Sequence, residues 1–310
     1  MKRFLVISGI LLAVGLTGAA AWVLWPRHQT FYSDAAAIRE PAESARLREI
    51  LWQPPIPMPG AINSTADEYE PRLSADGQTL LFVRGKPGEN ADIVLCTMTA
   101  DGWSAPEPVS EINSDYDDLG PEISPDGQSL YFYSDRPGGI GGYDLWMSRR
   151  GESGWMPPSN LGTRVNSEFN DYGPAVTPDG GAIFFASNRP RDESESLPPQ
   201  GAWHATIRED PYRHDYDLYT TSITDAGLSS AQPLAALNSP GNEGAPCFSP
   251  AGDFVYFTSD RDGGFGGFDL YRARQIRGEF EAPSNLGASV NTAANELAPA
   301  LEMGGSHLHF

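Results

Sequence analysis

Five stretches of this chain carry the same landmarks in the same register, and this repeat limits the fold more than any other feature. Each stretch opens on Asn followed by Ser or Thr, at Asn63, Asn113, Asn166, Asn238 and Asn291. Five residues on stands an acid: Glu68, Asp118, Asp171, Glu243 or Glu296. Eight residues on stands a proline (Pro71, Pro121, Pro174, Pro246, Pro299), and nineteen on a phenylalanine (Phe82, Phe132, Phe185, Phe257, Phe310). A turn signal lies between these two, Asp76-Gly77, Asp126-Gly127 and Asp179-Gly180, decaying to Ala251-Gly252 and Gly304-Gly305. Later an Asp opens an apolar run, at Asp92, Asp144, Asp217 and Asp269. Landmarks held in step over five units mark one supersecondary unit copied along the chain.

The second unit shows what is copied. Pro121 to Ser124 reads as a first strand, and Asp-Gly supplies a tight hairpin because Asp bonds its own backbone and Gly accepts positive φ. Leu130 to Ser134 is aromatic and suits a buried strand. The loop Gly138-Gly139-Ile140-Gly141-Gly142 leads to a third strand from Asp144 to Ser148, and a fourth lies around Trp155 to Leu161. A four-stranded unit of about fifty residues is a propeller blade, and a lone blade cannot cover both of its faces. The chain is therefore expected to be all-β, a β-propeller of four-stranded blades over residues 63–310, with four complete repeats and a partial fifth. The fifth unit stops at Phe310, within its second strand. The favoured expectation is a chain cut short there. The other is a five-bladed ring with an incomplete last blade, in which Pro59-Gly60-Ala61-Ile62 supplies an outer strand from the other end. This segment resembles the unit ends Leu161-Gly162-Thr163-Arg164-Val165 and Leu286-Gly287-Ala288-Ser289-Val290.

Ser124-Pro125-Asp126-Gly127-Gln128-Ser129-Leu130-Tyr131-Phe132-Tyr133-Ser134-Asp135-Arg136, followed by Gly141-Gly142-Tyr143-Asp144-Leu145-Trp146, resembles the WD-repeat-like propeller unit of the TolB type. Ser249 to Tyr271 repeats the pattern. The resemblance implies the propeller fold and a role in binding a protein or a cell-envelope polymer. It does not extend to TolB as a whole, because residues 28–62 are too few for an N-terminal α/β domain and no OmpA-like tail is visible.

The N-terminus reads as an address. Met1-Lys2-Arg3 precedes 22 uncharged residues, Phe4 to Trp25, on the border between a signal peptide and a membrane span. Trp22 and Trp25 favour an uncleaved hydrophobic helix anchored at the membrane interface, while Ala19-Ala20-Ala21 offers a cleavage site. In either case residues 28–310 are expected outside the cytoplasm, tethered through residues 4–25 if the leader stays. Residues 28–62 form a linker with a short helix between Asp34 and Trp52, then a Pro-rich connector. With 41 acids against 21 bases and a net charge of −20, the chain is not expected to bind nucleic acid or anionic lipid. Cys96 and Cys247 fall in blades that are not neighbours and are expected as two buried thiols.

Loops between blades and loops between second and third strands share one face of a propeller. The repeated acids Glu68, Asp118, Asp171, Glu243 and Glu296 are thus expected to ring the channel mouth. Two readings stand. The carboxylates hold a cation or a basic or polar peptide, calcium suiting such oxygen-rich loops although no EF-hand spacing is present. Alternatively each caps backbone N–H groups of the next blade, which recurrence in every unit favours. The pairs Asp135-Arg136, Asn188-Arg189 and Asp260-Arg261 read as loop-fixing contacts. The third unit breaks symmetry with an insertion from Pro190 to Asp215 that carries Trp203, His204, Tyr212 and His214. This loop is the local candidate for partner specificity, against a variable insertion without a role. No Gly-x-Ser-x-Gly elbow, His-Glu-x-x-His or P-loop is present, and no cofactor is expected. The expected function is non-catalytic binding. The alternatives are the propeller of a larger hydrolase or a polysaccharide-active enzyme with a carboxylate pair in the ring.

Overall fold

The computed structural model describes residues 52–58, 60, 62–191, 215–302 and 305–310. The hydrophobic segment 4–25, nearly all of the expected helix, and Trp203, His204, Tyr212 and His214 lie outside the described residues. Among the described residues the secondary structure is entirely β.

Blade I comprises β1 (Glu68–Leu73), β2 (Thr79–Arg84), β3 (Asp92–Thr99), β4 (Gly102–Trp103) and β5 (Glu107–Pro108). Blade II holds β6 (Asp118–Ile123), β7 (Ser129–Ser134), β8 (Asp144–Arg149) and β9 (Ser159–Asn160). Blade III holds β10 (Asp171–Val176), β11 (Ala182–Ser187), β12 (Asp217–Thr224), β13 (Gly227–Leu228) and β14 (Gln232–Pro233). Blade IV holds β15 (Glu243–Phe248), β16 (Phe254–Ser259), β17 (Asp269–Ile276), β18 (Glu279–Phe280) and β19 (Ser284–Asn285). The fifth unit contributes only β20 (Ala300–Leu301) and β21 (Leu308–His309). Each blade is an antiparallel meander, and its fourth strand is short, in three blades split into two pieces on the third strand. The inner strands β1, β6, β10 and β15 each pack on the next, and β20 stands between β15 and β1. Four blades and a two-stranded fragment thus surround one axis.

The first strands begin at the acid, three residues earlier than Pro121 suggested for the second unit. A bulge lies between acid and proline: the register of β1 on β2 shifts between Tyr69 and Arg72, and β6, β10 and β15 shift at the same place. The residue in the bulge is left-handed in every unit, at Glu70, Gly120, Gly173, Ala245 and Ala298. Proline tolerates the next position because a bulge leaves a ladder bond unmade there. The hairpins follow the turn chemistry read in the sequence. In blade I Gln78 N donates to Asp76 Oδ1 (3.0 Å), Thr79 N donates to Ser74 Oγ (2.9 Å), and Gly77 takes φ +67°. In blade IV, where Ala251 replaces the Asp, the Ser249 hydroxyl donates instead to Asp253 (2.7 Å).

Aromatic rings fill the spaces between blades II and III. Tyr133 of blade II meets Tyr172 of blade III edge-on at 5.7 Å, and each meets a second ring of its own blade, Tyr143 at 5.3 Å and Tyr216 at 5.0 Å, all four buried. Such pairs add about 0.5–1.5 kcal/mol beyond the area they bury. The opening Asn of each later unit is a clamp on the preceding blade. Asn113 accepts from Ile93 N (3.1 Å) and donates to Ile93 O (2.9 Å). Asn166 does the same to Leu145, Asn238 to Leu218 and Asn291 to Leu270, in each case the residue after the third-strand Asp. The carboxamide completes the third strand's backbone pairing, as buried backbone groups require. Cys96 and Cys247 are free and buried.

Candidate functional site

Two ends of the axis offer sites. At the N-terminal ends of the inner strands stand the repeated acids. Asp118 accepts from Ser114 N (2.6 Å) and Ser114 Oγ (2.9 Å), and Asp171 does so from Ser167 at the same distances. Glu68, Glu243 and Glu296 hold Ser64, Ser239 and Thr292 in the same way. An arginine from the end of the second strand closes four of these sites: Arg84 on Glu68 (2.9 Å), Arg136 on Asp118, Arg189 on Asp171 (2.6 Å) and Arg261 on Glu243 (3.0 Å). The same guanidinium groups donate to Ile62 O, Ile112 O, Val165 O and Leu237 O. Asp118, Asp171 and Glu243 are fully buried. Burial pushes the Asp171 carboxyl up, opposed by Arg189.

The oxygens of these carboxylates are turned onto backbone N–H and hydroxyl partners, and at four of the five positions onto a guanidinium as well. A calcium ion does not fit at the four arginine-closed positions, because a guanidinium already supplies the positive charge. Among the described residues no three His, Cys, Asp or Glu side chains come together as metal ligands. The Asp/Asn-Arg pairs do fix loops: Asp135 accepts from Asp117 N (3.0 Å), Asn188 from Asn170 N (2.8 Å) and Asp260 from Asn242 N (2.6 Å).

Blade III departs from this symmetry at the base of its insertion. In blades II and IV the third-strand Asp accepts N–H groups of the Gly-rich loop, Asp144 from Gly141 and Asp269 from Phe265. In blade III Asp217 instead takes both Nε (2.5 Å) and Nη2 (3.0 Å) of Arg191, where the insertion leaves the sheet. Burial raises the Asp217 carboxyl, and Arg191 opposes this.

At the other end of the axis, under the Asp-Gly hairpins, lies a cavity of about 180 Å³. All five units line it, among them Ser74 and Ala75, Glu122, Pro178, Cys247 and Leu301. Its floor is one ion pair, Arg72 Nε to Glu122 Oε2 at 3.1 Å, with side chains 8% and 15% exposed. Arg72 also donates to Pro299 O (2.8 Å) and Pro246 O (2.9 Å), and Glu122 accepts from Val176 N (3.0 Å). This pair touches every unit. Burial pushes the Glu122 carboxyl up, and the Arg72 charge pulls it back. Cys247 sits in the same lining with its thiol pushed up to about 12 by burial. None of these residues emerged from the sequence as a candidate. The signal was the position after the repeat's proline, which reads Arg72, Glu122, Ala175, Cys247 and Ala300. It lies between well-kept landmarks and changes character in almost every unit.

No catalytic relay stands out at the one hydroxyl–imidazole contact among the described residues. Ser306 Oγ and Glu302 Oε1 both approach the same ring nitrogen of His307. A relay needs one partner on each nitrogen.

No protein-family model matches the sequence, and no curated protein is similar to it in sequence. Among solved structures the fold is similar to TolB from Acinetobacter baumannii, with a TM-score of 0.50 and 14% identity over 79% of this chain and 48% of that one. The putative TolB from Agrobacterium tumefaciens gives 0.46 and 18%, covering 76% of this chain and 66% of that one. The periplasmic gluconolactonase PpgL of Pseudomonas aeruginosa gives 0.40 and 14%, covering 69% and 56%. The likeness is one of fold, and the chain spans about half the length of the first of these proteins.

Proposed function

We propose that this chain is a non-catalytic, extracytoplasmic β-propeller that binds a protein or a cell-envelope polymer, held at the membrane through residues 4–25. One observation carries the binding reading. The acids, arginines, clamps and hairpins recur from blade to blade and are satisfied internally, which is what a scaffold needs. The inner strands differ from one another at the floor of the axial cavity, and recognition of a single ligand on a repeated ring requires such a break in symmetry. A cavity of about 180 Å³ takes a side chain or a chain end of a partner, not a whole substrate. The insertion between Arg191 and Asp215 is a second place where the repeat is broken, and its sequence supports a loop-borne contact. The leader and the net charge of −20 support the location and argue against nucleic acid as partner.

The test is capture from a solubilised envelope fraction by the full chain, compared with Ala75→Trp and with a deletion of residues 192–214. Ala75 is exposed at the cavity mouth, so a large side chain there blocks entry without entering the core. Loss of one captured partner in either variant, with the thermal midpoint unchanged, supports binding at that face. Capture indifferent to both variants, or no capture at all, removes the proposal.

A further inference from the structure

We propose that the axial cavity receives the side-chain carboxamide of an asparagine or glutamine on a protein partner, an inference that deepens the binding role proposed above and rests on it. Two of the five units place a charge at the position after the repeat's proline, Arg72 and Glu122, and the two pair at 3.1 Å on the cavity floor. Cys247 and Ala300 stand at that position in blade IV and the fifth unit, line the same cavity, and are short and uncharged. An arginine carries five N–H donors, and a carboxylate about four acceptor sites. Arg72 commits four donors: Nε to Glu122, Nη1 to Pro71 O (3.1 Å) and Pro299 O (2.8 Å), and Nη2 to Pro246 O (2.9 Å). Glu122 accepts from Arg72 and from Val176 N (3.0 Å). Among the described residues the floor therefore keeps one N–H on Arg72 Nη2 and lone pairs on the neighbouring Glu122 for a guest.

The hydroxyls of the lining are spent on their own hairpins. Ser74 Oγ donates to Asp76 (2.5 Å) and accepts from Thr79 N (2.9 Å), and Ser249 Oγ donates to Asp253 (2.7 Å) and accepts from Phe254 N (3.0 Å). The walls are apolar, with Leu73, Ile123, Val176, Phe248 and Leu301. These features choose between guests. The floor has no net charge, so an ionised group gives up its water for no counter-charge. A purely apolar group leaves the Nη2 hydrogen and the Glu122 oxygens without a partner. A secondary amide is trans and turns its C=O and N–H to opposite edges, so it meets one of the two groups and not both. The acetamido groups of an envelope glycan are of this kind. A primary carboxamide shows C=O and N–H on one edge: its oxygen accepts from Arg72 Nη2 while its nitrogen donates to Glu122. Its methylene stem lies against the apolar walls. A cavity of about 150 Å³ holds a benzene molecule, so about 180 Å³ is room for the end of such a side chain.

The experiment titrates propionamide into the full 310-residue chain in detergent, with the Ile, Leu and Val methyl groups isotope-labelled and followed by NMR. Saturable shifts are expected at Ile123, Val176 and Leu301, and they should vanish in Ala75→Trp, which covers the mouth. Butan-2-one keeps the acceptor and carries a methyl in place of the amide nitrogen. It should bind about tenfold more weakly, as should propionate and N-methylpropionamide. Butan-2-one or propionate binding as well as propionamide would overturn the proposal. Equal or tighter binding of N-methylpropionamide would overturn it in favour of a glycan's acetamido group. An absence of saturable shifts, or shifts that persist in Ala75→Trp, would overturn it too. Capture from the envelope is read separately. A partner lost in Ala75→Trp, together with no preference for propionamide, leaves the cavity as a binding site and removes the carboxamide alone.

Discussion

A Cβ placed on Gly244 would stand 1.8 Å from the Tyr172 hydroxyl, and one on Gly141 would stand 1.9 Å from Phe169 O. Both contacts join neighbouring units, so these glycines let blade faces approach. Gly77 differs: it needs its left-handed φ of +67°, yet a Cβ there meets nothing within 4 Å. Urea unfolding should show Gly244→Ala and Gly141→Ala losing about 1–3 kcal/mol or more through overpacking, and Gly77→Ala about 1 kcal/mol through φ alone. Equal losses at all three would refute the packing role. Asp92 gives a pH-dependent case. Burial, then the nearby charges of Asp118 and Asp117, raises its carboxyl above the ordinary value, and its Oδ1 is buried without a partner. A raised acid stabilises the fold when protonated and costs stability as pH rises through its folded pKa. Asp92→Asn should therefore gain stability over the parent at neutral pH, with the difference vanishing below the ordinary Asp value of 3.8. A constant difference across that range would contradict the assignment.

Each inner strand needs a left-handed residue at its bulge, and only blades II and III place glycine there. Ala245 takes φ +44° and Ala298 +51° at the same point. A Cβ in this region costs about 1–2 kcal/mol, part of which glycine returns as lost backbone entropy. Ala245→Gly should raise the unfolding free energy by up to about 1 kcal/mol, and a measured loss would show that the Ala245 methyl earns its place by packing. Glu70 in blade I is the exception, because its carboxylate accepts from the Tyr133 hydroxyl (2.8 Å) of the next blade, so glycine there removes an inter-blade bond. The strand elements themselves were readable from alternation and turn residues. The bulge was not, because the residues that occupy it share no side-chain chemistry, only a backbone angle.

For the molecule as a whole, the axis is where independent units become one body. Arg72 and Glu122 join all five units through three hydrogen bonds and one ion pair. Cys247 lines the same cavity and Cys96 lies within blade I, and burial raises both thiols. With a pKa of about 12, only about one Cys247 thiol in 100,000 is ionised at pH 7. Maleimide labelling of the native chain should be slow at both sites and rapid in urea. Fast labelling of Cys247 in the native protein would mean that the ring opens at the axis.

The sequence alone determined the repeat, the all-β blades, the hairpin turns and the loop-fixing role of the Asp-Arg pairs. All of these are short-range patterns, written into residues a few positions apart or one unit apart. Tertiary structure alone decided that Arg72 and Glu122 meet on the axis and that Arg72 also reaches Pro246 and Pro299. Those pairings join residues up to 227 positions apart, as Arg72 and Pro299 show. Which copy stands beside which is set by how many wedges close around an axis, a quantity no single unit carries.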